Sequence, residues 1–382
     1  MGSWCRSPVF DSRRTLARRA RCFAALNLAT IVATIILVTA VGVLSATPLA
    51  GQATTRLSPC STCELHVSHL VSLGSASDPD SPADRFHRDV VHDARGRFFV
   101  RAGFPVNRIL VYGSGGILES VWGRGGEGPG EYRSIKQLLM LRGDSLGVFD
   151  QVNARLTVLN ADGSVARTQL LQINPYPHQI AQLADGTIVV AGGEQTAAAT
   201  GYLMHVVRPD GSVSPSVPAE TVDPYRPSAA QRRMAAAGMT VWAARPDKYE
   251  ITEYAADRTP LGILKREVDW FPDREVEGVV NDPAREPPHP YLTTVFVDEE
   301  GFIWTMVRLA DADWTPVDDV SSISREQRYD SIVEVIDPAR GVVLRSQRFP
   351  WNGHGFTNDG LIVSQRVDAL GVVILDVWRP EW

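Results

Sequence analysis

Three groups of residues in this 382-residue chain could do chemistry. "CSTC" sets Cys60 and Cys63 at the spacing of a redox pair or of a short local disulfide. "WGRGGEGPGEY", Trp122 to Tyr132, holds five glycines and has the composition of a loop that cradles phosphate. Histidines and aromatics then recur in proline-rich segments. "NPYPHQ" carries Tyr176 and His178, "VDPYRPSAAQRR" carries Tyr225, and "VDWFPDREVEGVVNDPAREPPHPY" carries Trp270, Phe271, His289 and Tyr291. "RLADADWTPVDDVSSISREQR" adds Trp314, and "PWNGHG" adds Trp351 and His354. Converging aromatics and imidazoles could hold a ligand by stacking and hydrogen bonding, and several imidazoles on one axis could hold a metal. The competing reading is that the aromatics fill gaps between packed elements and the histidines cap strands.

Each group is constrained by its surroundings. Haem attachment through the cysteines would need His where Glu64 stands, and one pair is too few for zinc. Pro59 before Cys60 argues against a lipid-modified cysteine. A disulfide between Cys60 and Cys63 is the expectation. In the glycine-rich stretch no Lys-Ser or Lys-Thr follows the glycines, and Lys136 falls in an expected strand. Without a helix to receive the phosphate, the stretch reads as a structural loop in which Glu131 accepts backbone N–H bonds. The chain contains no GxSxG, no HExxH and no EF-hand loop.

The elements that must position these groups are short strands. A turn followed by an apolar run recurs as "DARGRFFV", "RGDSLGVFD", "LADGTIVV", "AAGMTVWA", "DEEGFIWTM" and "TNDGLIVSQ". A second turn trails the first five, as in "RILVYGSGG", "RLTVLNADG" and "IVEVIDPARG". Asp-Gly and related pairs suit tight hairpins, and Gly96, Gly143, Gly186, Gly238, Gly301 and Gly360 mark six units 43 to 63 residues apart. Six four-stranded antiparallel units at that period predict an all-β, six-bladed β-propeller. The sixth unit ends at Trp382 with three strands, so "ELHVSHLVSLG", Glu64–Gly74, is expected to supply the fourth and close the ring. The long histidine-bearing segments then share one end of the central channel, and the short turns share the other.

The combination of "DARGRFFV", "RILVYGSGG" and "GRGGEGPGEY" resembles exported six-bladed β-propeller proteins related to NHL repeats, over Cys60–Trp382. The fourth unit departs from the pattern, lacking the Asp of its first turn, and the fifth carries a long insertion. The resemblance implies the fold and leaves function open, because such propellers serve binding, assembly and hydrolysis alike. Lactonase-like propellers hold Ca²⁺ with Glu, Asn and Asp near the innermost strands; the nearest counterparts here are Asp89, Glu131 and Asn358.

Charge locates the chain. Residues 1–53 carry six arginines against Asp11, a net +5, leaving −11 on the rest. The uncharged run Cys22–Ala46 follows, so 1–53 is either a cleaved export signal or an uncleaved anchor. Both readings place the body in the periplasm or outside the cell, with any membrane contact made through this segment. Residues 54–63 are expected to be a short linker and 64–382 the propeller. So acidic a body repels nucleic acid. The reading that emerges is a monomeric, exported, non-catalytic module without a cofactor, binding a small molecule, peptide or envelope protein at the channel mouth through Tyr176, His178, Tyr225, Trp270, His289, Trp314, Trp351 and His354. The alternative is a Ca²⁺- or Zn²⁺-dependent hydrolase using the same mouth.

Overall fold

A computed structural model of the chain describes residues 53–60, 63–80, 90–102, 107–171, 177–195, 200–222, 231–272, 284–318 and 328–381. The expected export segment lies outside them, apart from Ala53. Among the described residues there is no helix long and apolar enough to cross a membrane.

Six four-stranded antiparallel meanders form a six-bladed β-propeller. From the channel outward, blade 1 is Val90–His92, Phe98–Arg101, Ile109–Tyr112 and Leu118–Trp122. Blade 2 is Ile135–Leu141, Ser145–Asp150, Arg155–Leu159 and Val165–Leu170. Blade 3 is Pro177–Gln182, Ile188–Gln195, Thr200–Val207 and Val213–Val222. Blade 4 is Arg233–Ala237, Thr240–Ala244, Glu250–Ala255 and Pro260–Lys265. Blade 5 is Tyr291–Val297, Ile303–Ala310, Tyr329–Asp337 and Val342–Phe349. Blade 6 is Asn352–Phe356, Ile362–Val367 and Val373–Glu381, completed by His66–Leu73 from the start of the chain. That closing strand pairs antiparallel with the last one, from His66 opposite Glu381 to Leu73 opposite Leu375.

The apolar runs are continuous because each blade is buried on both faces. In Phe98–Arg101, Phe98 and Val100 enter the core between blades 6 and 1, while Phe99 enters the core between blades 1 and 2. One such cluster occupies each of the six blade interfaces. The first turns follow the sequence logic. Asp93 accepts the N–H groups of Arg95 and Arg97 at 3.0 and 2.8 Å, and Gly96 takes φ 80°, a conformation glycine adopts without strain.

The segment expected to be a linker is paired instead. Thr54–Arg56 adds a fifth, parallel strand to the outer edge of blade 4. Ser58 then donates to Gly341 O at 3.0 Å and accepts from Val343 N–H at 3.0 Å, on the edge of blade 5. Cys63 O accepts from Ser346 N–H at 2.8 Å. Cys60 and Cys63 are bridged, with Cα atoms 5.8 Å apart, and Leu57 and Cys60 join the core between blades 4 and 5. The described residues 53–60 and 63–73 therefore form a strap along the outer edges of blades 4, 5 and 6.

Candidate functional site

The innermost strands run side by side around the channel without a backbone ladder between them. Side-chain amides bridge the gaps. Gln137 of blade 2 accepts from Ile180 N–H of blade 3 at 2.7 Å. Gln179 of blade 3 clasps Met234 of blade 4, accepting from its N–H at 3.0 Å and donating to its C=O at 3.1 Å. Gln182 accepts from Arg142 N–H at 3.3 Å. These residues line a cavity of about 520 Å³ bounded by all six innermost strands, whose wall is otherwise largely Val, Leu, Ala and Met. The sequence did hold a signal for two of them: Gln137 and Gln179 each stand four residues before the last apolar residue of their run, Leu141 and Leu183.

At the loop-rich end of the channel a polar arc crosses three blades. Arg233, first in the innermost strand of blade 4, donates to Tyr291 Oη at 2.8 Å and lies over that ring, its guanidinium carbon 5.6 Å from the centroid. Tyr291 is paired across the ladder with Arg308. Arg308 donates to Gly353 O at 3.0 Å and lies 5.3 Å from the Tyr329 ring centroid. Gly353 N–H in turn donates to Ser331 Oγ at 2.6 Å. Next to Gly353 stands Asn352, at 0% exposure, with neither amide oxygen nor amide nitrogen hydrogen-bonded among the described residues. Buried amides of this kind are rare in folded proteins because desolvation without a partner costs free energy.

The glycine-rich loop sits at the same end, between blades 1 and 2. Its backbone N–H groups do form an anion cradle, and the chain's own Glu131 fills it. Glu131 Oε2 accepts from Glu127 and Gly128 N–H at 3.1 and 2.8 Å, and Oε1 meets Arg124 at 2.7 Å. The Gly128 bond, then the Arg124 bond, hold this carboxyl below its ordinary value. A Cβ on Gly126, at φ 149°, would lie 2.2 Å from that carboxylate. Arg155 ties the loop down by donating to the carbonyls of Glu127, Gly128 and Glu131. Tyr132 beneath it is buried, which pushes its phenol up to about 12. No room is left for a nucleotide phosphate.

A third polar group ties blades 4 and 5 at this end. Glu334, fully buried, takes a two-point ion pair from Arg266 at 3.1 and 3.2 Å and bonds from Tyr249 Oη at 2.8 Å and Ser346 Oγ at 3.0 Å. Burial, then the charge of Glu334, raise the Tyr249 phenol well above its ordinary value. Glu334 and Arg266 are 68 residues apart, so nothing in local spacing announces them.

The sequence-derived site residues scatter. Tyr176, Tyr225 and Asp89 lie outside the described residues, and of His178 only the backbone is described, in the innermost strand of blade 3. Trp270 packs against Tyr249 and Phe271, with centroids 6.0 and 6.2 Å away, in the core between blades 4 and 5. Trp351 stacks on Phe349 at 4.6 Å and Trp378 at 6.3 Å, between blades 5 and 6. These two tryptophans thus fill interblade gaps. His354 is buried within the innermost strand of blade 6, and His289 is half-buried just before that of blade 5. Trp314 is half-buried in the long loop of blade 5, its buried indole N–H without a hydrogen-bond acceptor. Of the residues compared with a Ca²⁺ set, the two that are described do not converge. Glu131 precedes an innermost strand and is engaged in its loop, whereas Asn358 follows one and bonds His92 N–H and C=O at 2.8 and 3.0 Å. Among the described residues no three His, Cys, Asp or Glu are grouped to hold a metal ion.

No family model matches the chain, and no curated protein matches its sequence. Solved structures share its architecture. A protein of Bacteroides fragilis NCTC 9343 described as exported superposes with a TM-score of 0.54 at 13% identity, covering 86% of this chain and 99% of that one. A DUF4221-family member from Bacteroides vulgatus ATCC 8482 gives 0.52 at 9% identity, covering 84% and 99%. A streptogramin B lyase superposes at only 0.44 and 11% identity, covering 84% and 100%, too loosely to bear on activity. At these identities the likeness speaks for the fold alone.

Proposed function

We propose that this chain is an exported, non-catalytic binding propeller of the cell envelope, related to the NHL-type propellers, with its ligand seated at the loop-rich end of the channel beside blades 4 to 6. The observation that carries the reading is Asn352. A fully buried amide with no partner, at the head of an innermost strand and next to the Arg233–Tyr291–Arg308 arc, is a recognition group kept ready at the expense of stability. Trp314, whose indole N–H has no acceptor among the described residues, lies in the long loop of blade 5 and is the second such group. The sequence places its longer segments ahead of innermost strands, and loops on a rigid scaffold are where binding residues concentrate.

The test is Asn352→Leu, which keeps the volume and removes the unpaired amide. Melting of the unliganded variant is measured beside a thermal-shift screen of glycans, peptides and small metabolites on both proteins. A recognition role gives a variant that melts higher and loses the hits of the parent. A variant that melts lower and keeps every hit makes Asn352 a packing residue and removes the reading. Stoichiometric Ca²⁺ or Zn²⁺ in metal analysis of the purified protein would replace the binding module with a metal-dependent hydrolase.

A further inference from the structure

A second feature, independent of the reading above, lies on the channel wall where blades 2 and 3 meet. Gln137 reaches from blade 2 to Ile180 N–H at 2.7 Å, and Gln182 reaches back from blade 3 to Arg142 N–H at 3.3 Å. In each amide the oxygen is engaged and the nitrogen is not. Neither Nε2 has a hydrogen-bond partner among the described residues, and neither is sealed in the core, since both half-buried side chains line the 520 Å³ cavity. Gln179 differs, because it engages Met234 with both its oxygen and its nitrogen. Gln137 and Gln182 therefore turn N–H donors toward the cavity.

Arg142 adds a charge to them. It opens the tight turn of blade 2 and lines the same cavity at its rim, beside the amide of Gln182. Its side chain is exposed and makes no hydrogen bond or ion pair among the described residues. Asp185 is near enough to feel its charge but is held by Thr187, whose N–H and Oγ1–H donate to it at 2.8 and 2.9 Å. Those two bonds lower the Asp185 carboxyl most, and Arg142 least. Among the described residues no Asp or Glu lines this cavity, although residues 54–382 carry a net charge of −11. The carboxylates of the adjoining groove, Asp298, Glu299, Glu300 and Asp359, stand across the channel on blades 5 and 6.

We propose that the channel binds a small carboxylate that carries a second acceptor oxygen along its chain, with its charged head at Arg142 and Gln182 and that oxygen at Gln137. A guanidinium matches the two oxygens of a carboxylate, and charge-assisted bonds are the stronger kind. A cation is disfavoured at this wall, which offers it an unpaired arginine and N–H groups. Gln137 meets blade 3 at Ile180 and Gln182 leaves it two residues on, a rise of about 7 Å, so the two ends of the ligand are set apart by a chain of similar length. The cavity has the volume of a small-molecule site.

The experiment is calorimetric titration of the purified protein with 6-oxoheptanoate, its methyl ester, heptanoate and heptylammonium, repeated on Arg142→Gln and on Gln137→Glu. The oxo acid is expected to bind about ten-fold more tightly than its ester, with the advantage shrinking at high salt. It should also exceed heptanoate, which lacks the second oxygen, while heptylammonium gives no heat. Arg142→Gln should bring the oxo acid down to its ester and leave melting unchanged, since the side chain is exposed and bonds nothing described. Gln137→Glu keeps an acceptor for Ile180 N–H and loses the donor, so the preference for the oxo acid over heptanoate should vanish. The ester or heptanoate binding as tightly as the oxo acid, Arg142→Gln binding it unchanged, or the oxo acid giving no heat overturns the proposal. Asn352→Leu should leave this titration unaltered, so failure here and failure at the loop-rich end are read separately.

Discussion

Two asparagines mark the ends of the innermost strand of blade 6, and they live in opposite circumstances. Asn358, at the tight-turn end, is exposed and bonds both backbone groups of His92 in blade 1. Asn352, at the loop-rich end, is wholly buried, and its side-chain amide has no hydrogen-bond partner among the described residues. The contrast extends around the channel. Tight turns are closed by their own aspartates, as at Asp93, Asp185 and Asp298, whereas the loop-rich end is held by side chains reaching between blades, as at Arg233, Arg308 and Glu334. Cross-blade contacts occur at both ends, but at the tight-turn end they join exposed residues, as at Asn358 and Asp359, whereas at the loop-rich end they include the buried pair Arg266–Glu334.

If that contrast is right, the largest loss should come from the loop-rich end. Glu334→Gln leaves Arg266 buried without its counter-charge and should cost about 3–5 kcal/mol in chemical unfolding. Replacing both partners by leucine and methionine should recover most of it; a single substitution as mild as the double one would show that the pair is not what joins blades 4 and 5. Next in size is the asparagine pair. Asn352→Leu should gain on the order of 1–3 kcal/mol, because an unmet desolvation penalty disappears. Asn358→Leu should lose about 1 kcal/mol through its two bonds. Equal signs at the two positions would erase the distinction between the ends.

Smaller effects follow from pH. Glu131 has a folded-state pKa below its ordinary value, so its contribution is complete above the unfolded value and disappears as pH falls through the folded one. Amide exchange at Glu127 and Gly128 should therefore quicken in acid while the blade cores stay protected. The turn aspartates Asp162, Asp185, Asp210 and Asp257 are likewise lowered, by bonds from Ser164, Thr187, Ser212 and Thr259, and carry the same sign. All four are exposed, so neutralising any one of them should move the acid limb of a melting-versus-pH curve only slightly.

What was legible in the sequence is what repeats. The glycine and aspartate turns fixed six units, and the alternation in His66–Leu73 marked it as a strand seeking a partner. The strap was not legible: Thr54–Arg56 is three residues long, shows no periodicity, and owes its strand to the edge of blade 4. Where Trp270 and Trp351 pack was not legible, because an aromatic that plugs a gap and one that walls a pocket have the same composition and the same flanking prolines. Glu334 and Arg266 are invisible for a different reason. Each is an ordinary charged residue until the ring brings two blades together. Glu131, by contrast, was readable, since a carboxylate among glycines has backbone N–H groups as its nearest donors.

The pairing of His66 with Glu381 sets a timetable for folding. The strand His66–Leu73 pairs with Val373–Glu381, among the most sequence-distant contacts of the described strands. Blades 1 to 5 draw their four core strands from consecutive sequence, but blade 6 cannot take in His66–Leu73 until Val373–Glu381 is in place between it and Ile362–Val367. Closure of the ring therefore waits on that one segment, and blade 6 stays unsealed until it arrives.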